Sequence, residues 1–215
     1  MPSHIATKIT YFNSIPVIPE KKSIMSRLGH SRPSNVLGLK DAALIDETIG
    51  LGLALCRNQG AAGRFGIKSQ TVGSVVLNDG VSLESRQLAK MLQKSDGIIL
   101  MAGSAGPEIT SRITSEMENG NSAAAVILDA VASVSADMIL DWIMDLFNKM
   151  LQKEGRRLTR HRYSPGFGDL ALDNQAVIFR LLDLERLHLS LSDSMMLSPE
   201  KSVLAIAGTE RIKAE

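Results

Sequence analysis

Cysteine, aromatic side chains and net charge are all scarce in this chain. Its 215 residues hold one cysteine, one tryptophan, two tyrosines and five phenylalanines, and the formal charge at pH 7 is +1. A single thiol excludes an internal disulfide and any cysteine-based metal cluster. A charge so near zero leaves no global field to draw nucleic acid or an anionic membrane surface. No apolar run is seen that approaches the ~18 residues of a membrane span, and the N-terminus has no long apolar signal core. The cytoplasm is the expected compartment, with neither membrane nor nucleic acid among the partners. Cys56 itself lies in an apolar helical run and is expected in packed core.

Signatures of self-contained catalysis are missing as well. Gly103-Ser-Ala-Gly106 precedes a helix start and could hold a phosphate on its N–H groups, but no lysine follows to complete a P-loop. A tight turn before a helix is the preferred reading. Gly50-Leu-Gly52 opens no G-x-G-x-x-G, since position 55 is leucine and the setting is helical. His4, His30, His161 and His188 lack short metal-ligand spacing. There is no G-x-S-x-G elbow, and Cys56 has no basic neighbour beyond Arg57. The basic run Lys153, Arg156, Arg157, Arg160 and Arg162 carries no interleaved aromatics for stacking on bases.

What is present is ordinary core material: 44% hydrophobic and 22% charged residues, at a length that fits one large or two small domains. His4 to Phe12 reads as an opening strand, and Lys21 to Leu28 as a short helix closed by Gly29. Leu39 to Asn58 has helical spacing, with Gly60 as its C-terminal stop. Residues 64 to 83 are richer in β-branched residues, with a hairpin signal at Asn78-Asp-Gly80. Leu83 to Lys94 reads as a helix and Gly97 to Ala102 as a buried strand. Pro107 suits a first helical position, with Ser104 as a nearby cap. Ala123 to Lys153 is the longest helical pattern, with an apolar stripe of Val131, Val134, Met138, Ile139, Trp142, Ile143, Leu146, Phe147 and Met150. Arg156 to Tyr163 reads as a strand, Asn174 to Leu187 as a helix, and Ser202 to Gly208 as a last strand. Helices and strands mix without regular βαβ alternation. That favours α+β with a largely antiparallel sheet flanked by helices.

Two features invite a functional reading. In Arg160-His-Arg-Tyr-Ser-Pro-Gly-Phe167 a cationic strand runs into Pro165-Gly166, which must turn. Strand alternation points His161 away from Arg160 and Arg162. This is either a strand end with a solvated arginine or a site for a small flat ligand, with Arg162 clamping a carboxylate bidentately and exposed backbone reading a heterocycle edge. On the long helix, Ser133, Asp137, Asp141 and Asp145 fall four apart on one face. This is either a solvated face or one whose N-terminal part borders a ligand, where a carboxylate beside a sulfonium or ammonium gains from a semi-dry cleft.

Arg162-Tyr-Ser-Pro-Gly-Phe167 resembles the Arg-x-x-Pro-Gly-Tyr motif of the activation domain of cobalamin-dependent methionine synthase. Four further segments look like stand-alone relatives of that domain: Ile24-Met-Ser-Arg-Leu-Gly29, Leu100-Met-Ala-Gly-Ser-Ala-Gly-Pro-Glu108, Leu128-Asp-Ala-Val-Ala-Ser133 and Ser194-Met-Met-Leu-Ser-Pro-Glu-Lys-Ser202. They fall in the family's order and span nearly the whole chain, so residues 1–215 are read as one domain and, from Met1, as a separate product. The resemblance implies an α+β fold that binds S-adenosylmethionine and supports reductive remethylation of cobalamin. The cobalamin would be carried by a partner, a corrinoid-binding methyltransferase subunit, with an electron donor protein. The chain would then be one component of a methionine synthase rather than a complete enzyme, with no catalytic residue or metal of its own. The alternative is a non-catalytic docking module for a corrinoid protein.

In the resemblance Arg162 holds the methionyl carboxylate, backbone at Ser164 and Gly166 contacts the adenosine, and Phe167 packs beside it. Asp137 or Ser133 matches the family's helix glutamate. The chain departs from the pattern in three places: Phe167 replaces the motif's tyrosine, the helix acid is not glutamate, and Gly168-Asp-Leu-Ala-Leu-Asp173 differs from the segment that follows the turn.

Overall fold

The computed structural model describes residues 8–29 and 39–212. Residues 4–7 of the expected opening strand, with His4 and His30, lie outside the described residues. The elements run β1 (Ile9–Phe12), α1 (Lys21–Arg27), α2 (Leu39–Leu55), β2 (Gln59–Gln70), β3 (Ser74–Leu77), β4 (Ser82–Glu84), α3 (Arg86–Met91), β5 (Ser95–Ser104), α4 (Pro107–Glu118) and α5 (Ser122–Gln152). After these come β6 (Arg156–Leu158), α6 (Asn174–Leu181), a 3-10 turn (Leu184–Leu187), β7 (Ser190–Leu191), β8 (Leu197–Ser198) and β9 (Ser202–Arg211). The expected α+β class holds. Seven strands form one antiparallel sheet in the order β4-β3-β2-β5-β9-β6, with β1 paired to β2 beside β3, and β7-β8 is a separate hairpin.

Period-two alternation divides the core. Ile98, Leu100 and Ala102 of β5 join Leu204 and Ile206 of β9 on one face, under α3, α6 and the 3-10 turn. Ile99 and Met101 join Ala205 and Ala207 on the other, under Ile139, Leu140, Ile143 and Phe147 of α5. The two central strands are covered on both sides and therefore read as apolar runs rather than as alternating ones. Each of these large side chains contributes roughly 1.5–3 kcal/mol by leaving water. A β-carbon on Gly103 would lie 2.6 Å from Ile139 Cγ2. Glycine there lets α5 lie flat across the sheet. Helices α1, α2 and α4 pack in turn on the N-terminal half of α5.

Several expected boundaries move. The long apolar helix ends at Leu55, and Gly60 is not its stop but part of β2. The β2 segment Gln59-Gly-Ala-Ala-Gly-Arg64 has few β-branched residues; pairing with β1 on one side and β5 on the other holds it extended. The helix expected from Leu83 is a short strand followed by α3, with Ser85 as the cap between them. Gly106, not Ser104, is the residue before α4; Ser104 Oγ accepts the Gly106 N–H at 3.2 Å. The helix expected to run to Leu187 ends at Leu181, and Asp183 is left-handed at φ 49°. Contrary to the expectation from apolar runs, α5 is long and apolar enough to cross a membrane by length and composition. Its buried apolar residues pack against the sheet and against α1, α2 and α4.

Candidate functional site

The segment carrying the central arginine is not the regular strand that alternation predicts. β6 ends at Leu158. Thr159 N–H still bonds Gly208 O at 2.8 Å, but the next pairing is Tyr163 with Ile206, through two bonds of 2.9 and 2.8 Å. The chain takes four steps from Thr159 to Tyr163 while β9 takes two from Gly208 to Ile206. The extra residues bulge out. Alternation fails there, so Arg160, His161 and Arg162 border the same open cavity of about 500 Å³ beside α5, with Asp141, Asp145 and Asn148 opposite.

Arg162 reaches across to the acidic face of α5. Its Nη1 is paired with the Asp141 carboxylate, while Nη2 lies 3.8 Å from the Asp137 carboxylate and donates to the Asp137 carbonyl at 3.4 Å. Asp137 also faces Arg27 Nη1 of α1 at 3.7 Å. Two turns toward the start of α5, Lys201 Nζ binds Asp129 at 2.5 Å and donates to Ser133 Oγ at 3.3 Å. One helix face thus collects three cations from three distant segments. Lys201 is tied further: Ala105 N–H bonds its carbonyl at 2.9 Å, and Ser202 Oγ donates to Ser104 Oγ at 2.9 Å. The five segments quoted above therefore meet in space. Arg27, Arg162 and Lys201 come from three of them, Asp129 and Ser133 from the fourth, and Ser104 and Ala105 from the fifth.

Of the six candidate ligand residues, the structure brings Arg162, Asp137 and Ser133 onto this face. Ser164, Gly166 and Phe167 form a turn with its own anchorage. Gly166 has φ 86°, as the Pro-Gly pair requires, and its N–H bonds Leu170 O at 2.8 Å; Phe167 N–H bonds Ser164 O at 3.2 Å. Phe167 is 68% exposed. It is an aromatic face offered to solvent, not core. The turn docks on the opposite side of the sheet through Asp169, whose carboxylate accepts from the Ser85 hydroxyl and, at 2.8 Å, from Arg86 N–H at the start of α3. Tyr163 Oη donates to Gln87 Oε1 at 2.8 Å in the same helix. The Ser85 hydrogen bond, followed by those from Arg86 and Gln87, holds the Asp169 carboxyl below the ordinary aspartate range. The divergent segment after the turn therefore supplies a helix cap.

Arg27, Lys201, Asp129 and Asp169 were not singled out from sequence. Their only signal was membership of a quoted segment or nearness to the turn. Cys56 is only partly buried, 3.6 Å from Ser135 Oγ, and burial pushes its thiol up. That is the opposite of an activated nucleophile.

No family model and no curated protein matches this chain. Among solved structures it is similar to the MetH reactivation domain bound to AdoHcy, S-adenosylhomocysteine. The TM-score is 0.64 at 12% identity, over 97% of this chain and 80% of that chain. At this identity the likeness is one of fold. The chain has the fold of the methionine synthase activation domain, as the sequence resemblance implied.

Proposed function

We propose that the chain binds S-adenosylmethionine between Arg162 and the acidic face of α5 and presents its methyl group to cobalamin carried by a partner. The observation that carries this reading is Arg162 on the acidic face of α5, where it lines an open cavity with Asp141 and Asp145; Arg27 and Lys201 pair with the same helix nearer its start, outside that cavity's lining. The ligand is zwitterionic, with a carboxylate, an ammonium and a sulfonium. A lining of Arg160, Arg162 and Asp145 offers both signs of charge, and about 500 Å³ falls within the ~300–1,000 Å³ of small-molecule clefts. The bound ligand of the similar MetH domain supports the same choice.

Each residue then has a role. Arg162 clamps the methionyl carboxylate. Asp137 and Ser133 border the charged part of the ligand. The turn docks on the sheet face away from α5, so backbone at Ser164 and Gly166, with Phe167 beside it, meets the adenosine in this reading where the ligand passes the sheet edge at Tyr163. This chain binds and orients; the corrinoid supplies the bond-making, with one electron from a donor protein as the methyl leaves sulfur for cobalt. We place the protein in the cytoplasm as one domain working with a corrinoid methyltransferase subunit, not as an enzyme by itself.

The test is to mix the protein with a corrinoid protein, S-adenosylmethionine and a low-potential reductant, and follow the cobalamin spectrum. S-adenosylhomocysteine and methylcobalamin should form together, and neither without the corrinoid protein. Equal S-adenosylhomocysteine production without any corrinoid would make the chain a methyltransferase in its own right. One observation favours the docking-module alternative: Arg162 is already paired with Asp141. On that reading a folded sample takes up no S-adenosylmethionine at millimolar concentration.

A further inference from the structure

The arginine best placed to take a ligand carboxylate already holds one from its own chain. We propose that Asp141 is a built-in competitor for Arg162, which occupies the guanidinium until a ligand carboxylate displaces it and so weakens the affinity of the site. This rests on the reading of the site as one for an α-amino acid carboxylate.

The geometry separates Asp141 from its neighbour Asp137. Asp137 has two cations, Arg27 at 3.7 Å and Arg162 at 3.8 Å, and keeps one of them if Arg162 turns away. Among the described residues, Asp141 is ion-paired with Arg162 alone. The exposures differ in a way that suits exchange. The Arg162 side chain is 24% exposed and that of Asp141 is 62% exposed. The guanidinium is therefore held in place by the bulge and the helix, while the competing carboxylate stands in solvent and can swing aside by a change of rotamer. It also lines the open cavity with Asp145. A released Asp141 therefore moves within existing space, with no shift of backbone. An ion pair this exposed is worth little to the fold. A free carboxylate of the same chemistry can replace it on the same guanidinium fork. Asp141 thus sets a threshold ligand concentration without closing the site.

The experiment is calorimetric titration of the whole chain and its Asp141→Asn variant with two probes. One is S-adenosylhomocysteine, which carries the amino-acid carboxylate; the other is 5′-methylthioadenosine, which lacks it. Asparagine keeps the size of the side chain and removes the charge. The variant should bind S-adenosylhomocysteine about two- to fivefold more tightly, the factor expected when a surface ion pair no longer competes. Its affinity for 5′-methylthioadenosine should not change. Binding of the first probe by the variant alone would be the strongest form of the same result. Equal or weaker binding of S-adenosylhomocysteine by the variant overturns the proposal, and weaker binding would make Asp141 a direct ligand contact. A matching gain for both probes also overturns it, because the effect would then be a general change in the site. If neither protein binds either probe, the ligand reading itself fails and this proposal falls with it.

Discussion

The two faces of α5 differ in what they touch and in what they hold. Toward the sheet, Ile139, Leu140 and Ile143 are all but fully buried and meet carbon from β2, β5 and β9. Away from it, Asp137 and Asp141 are more than half exposed and meet guanidinium groups from α1 and from the bulge after β6. The first face acts through area removed from water, which is large and non-directional. The second acts through charge in high dielectric, which is weak for stability but selective in what it attracts. A fold can tolerate a site on the second face because it does not depend on it.

That contrast is sharpest in stability. Ile139→Ala should lower the unfolding free energy by about 2–5 kcal/mol, the range for a large-to-small change in a fully buried position. Urea denaturation followed by far-UV circular dichroism measures it; a loss below ~1 kcal/mol would mean that α5 is not the core helix. Ser85→Ala should cost about 1 kcal/mol by removing the cap of α3. It should also loosen the 164–170 turn, visible as faster amide exchange at Gly166 and Leu170. Unchanged exchange there would separate the turn from α3. Asp141→Asn, on the other face, should cost less than ~1 kcal/mol of stability in the same denaturation.

Acid probes the anchorage of the turn. Asp169 has a lowered folded-state pKa, so its contribution is complete above the ordinary aspartate value of about 3.9 and is lost as pH falls through the folded value. Stability should therefore drop between pH 4 and lower values, and the drop should be smaller in Asp169→Asn. An identical acid profile in that variant would remove Asp169 from the account.

Much of the core was legible in the sequence because periodicity reports burial directly. The stripe from Val131 to Met150 gave α5, with Val131, Ile139, Ile143 and Phe147 buried but Met150 52% exposed, and the run from Gly97 to Ala102 gave the middle of β5. Pro107 marked the first turn of α4. The first part of β2 was obscure because Gln59 to Arg64 is extended by its neighbours on both sides and not by its own propensities. The bulge at 160–162 was obscure for a similar reason: it is defined by register against β9, which no local pattern encodes. The site was legible only in part. Arg162 stood out by its motif, but Lys201 meets Ser133 across 68 positions, and Asp169 meets Ser85 across 84. Such pairings carry no local signature; resemblance in ordered segments pointed to their neighbourhood, and only the fold brings the partners together.

The central claim is that Arg162 on the acidic face of α5 receives the carboxylate of S-adenosylmethionine. Isothermal titration of the chain and of Arg162→Ala with that ligand tests it most directly. The account predicts saturable binding by the unaltered chain and a loss of about 1.5–3 kcal/mol in the variant, the scale of a hydrogen bond to a charged group, with the unfolding midpoint nearly unchanged. Equal affinity in the two proteins, or no binding by a folded unaltered chain, would contradict it.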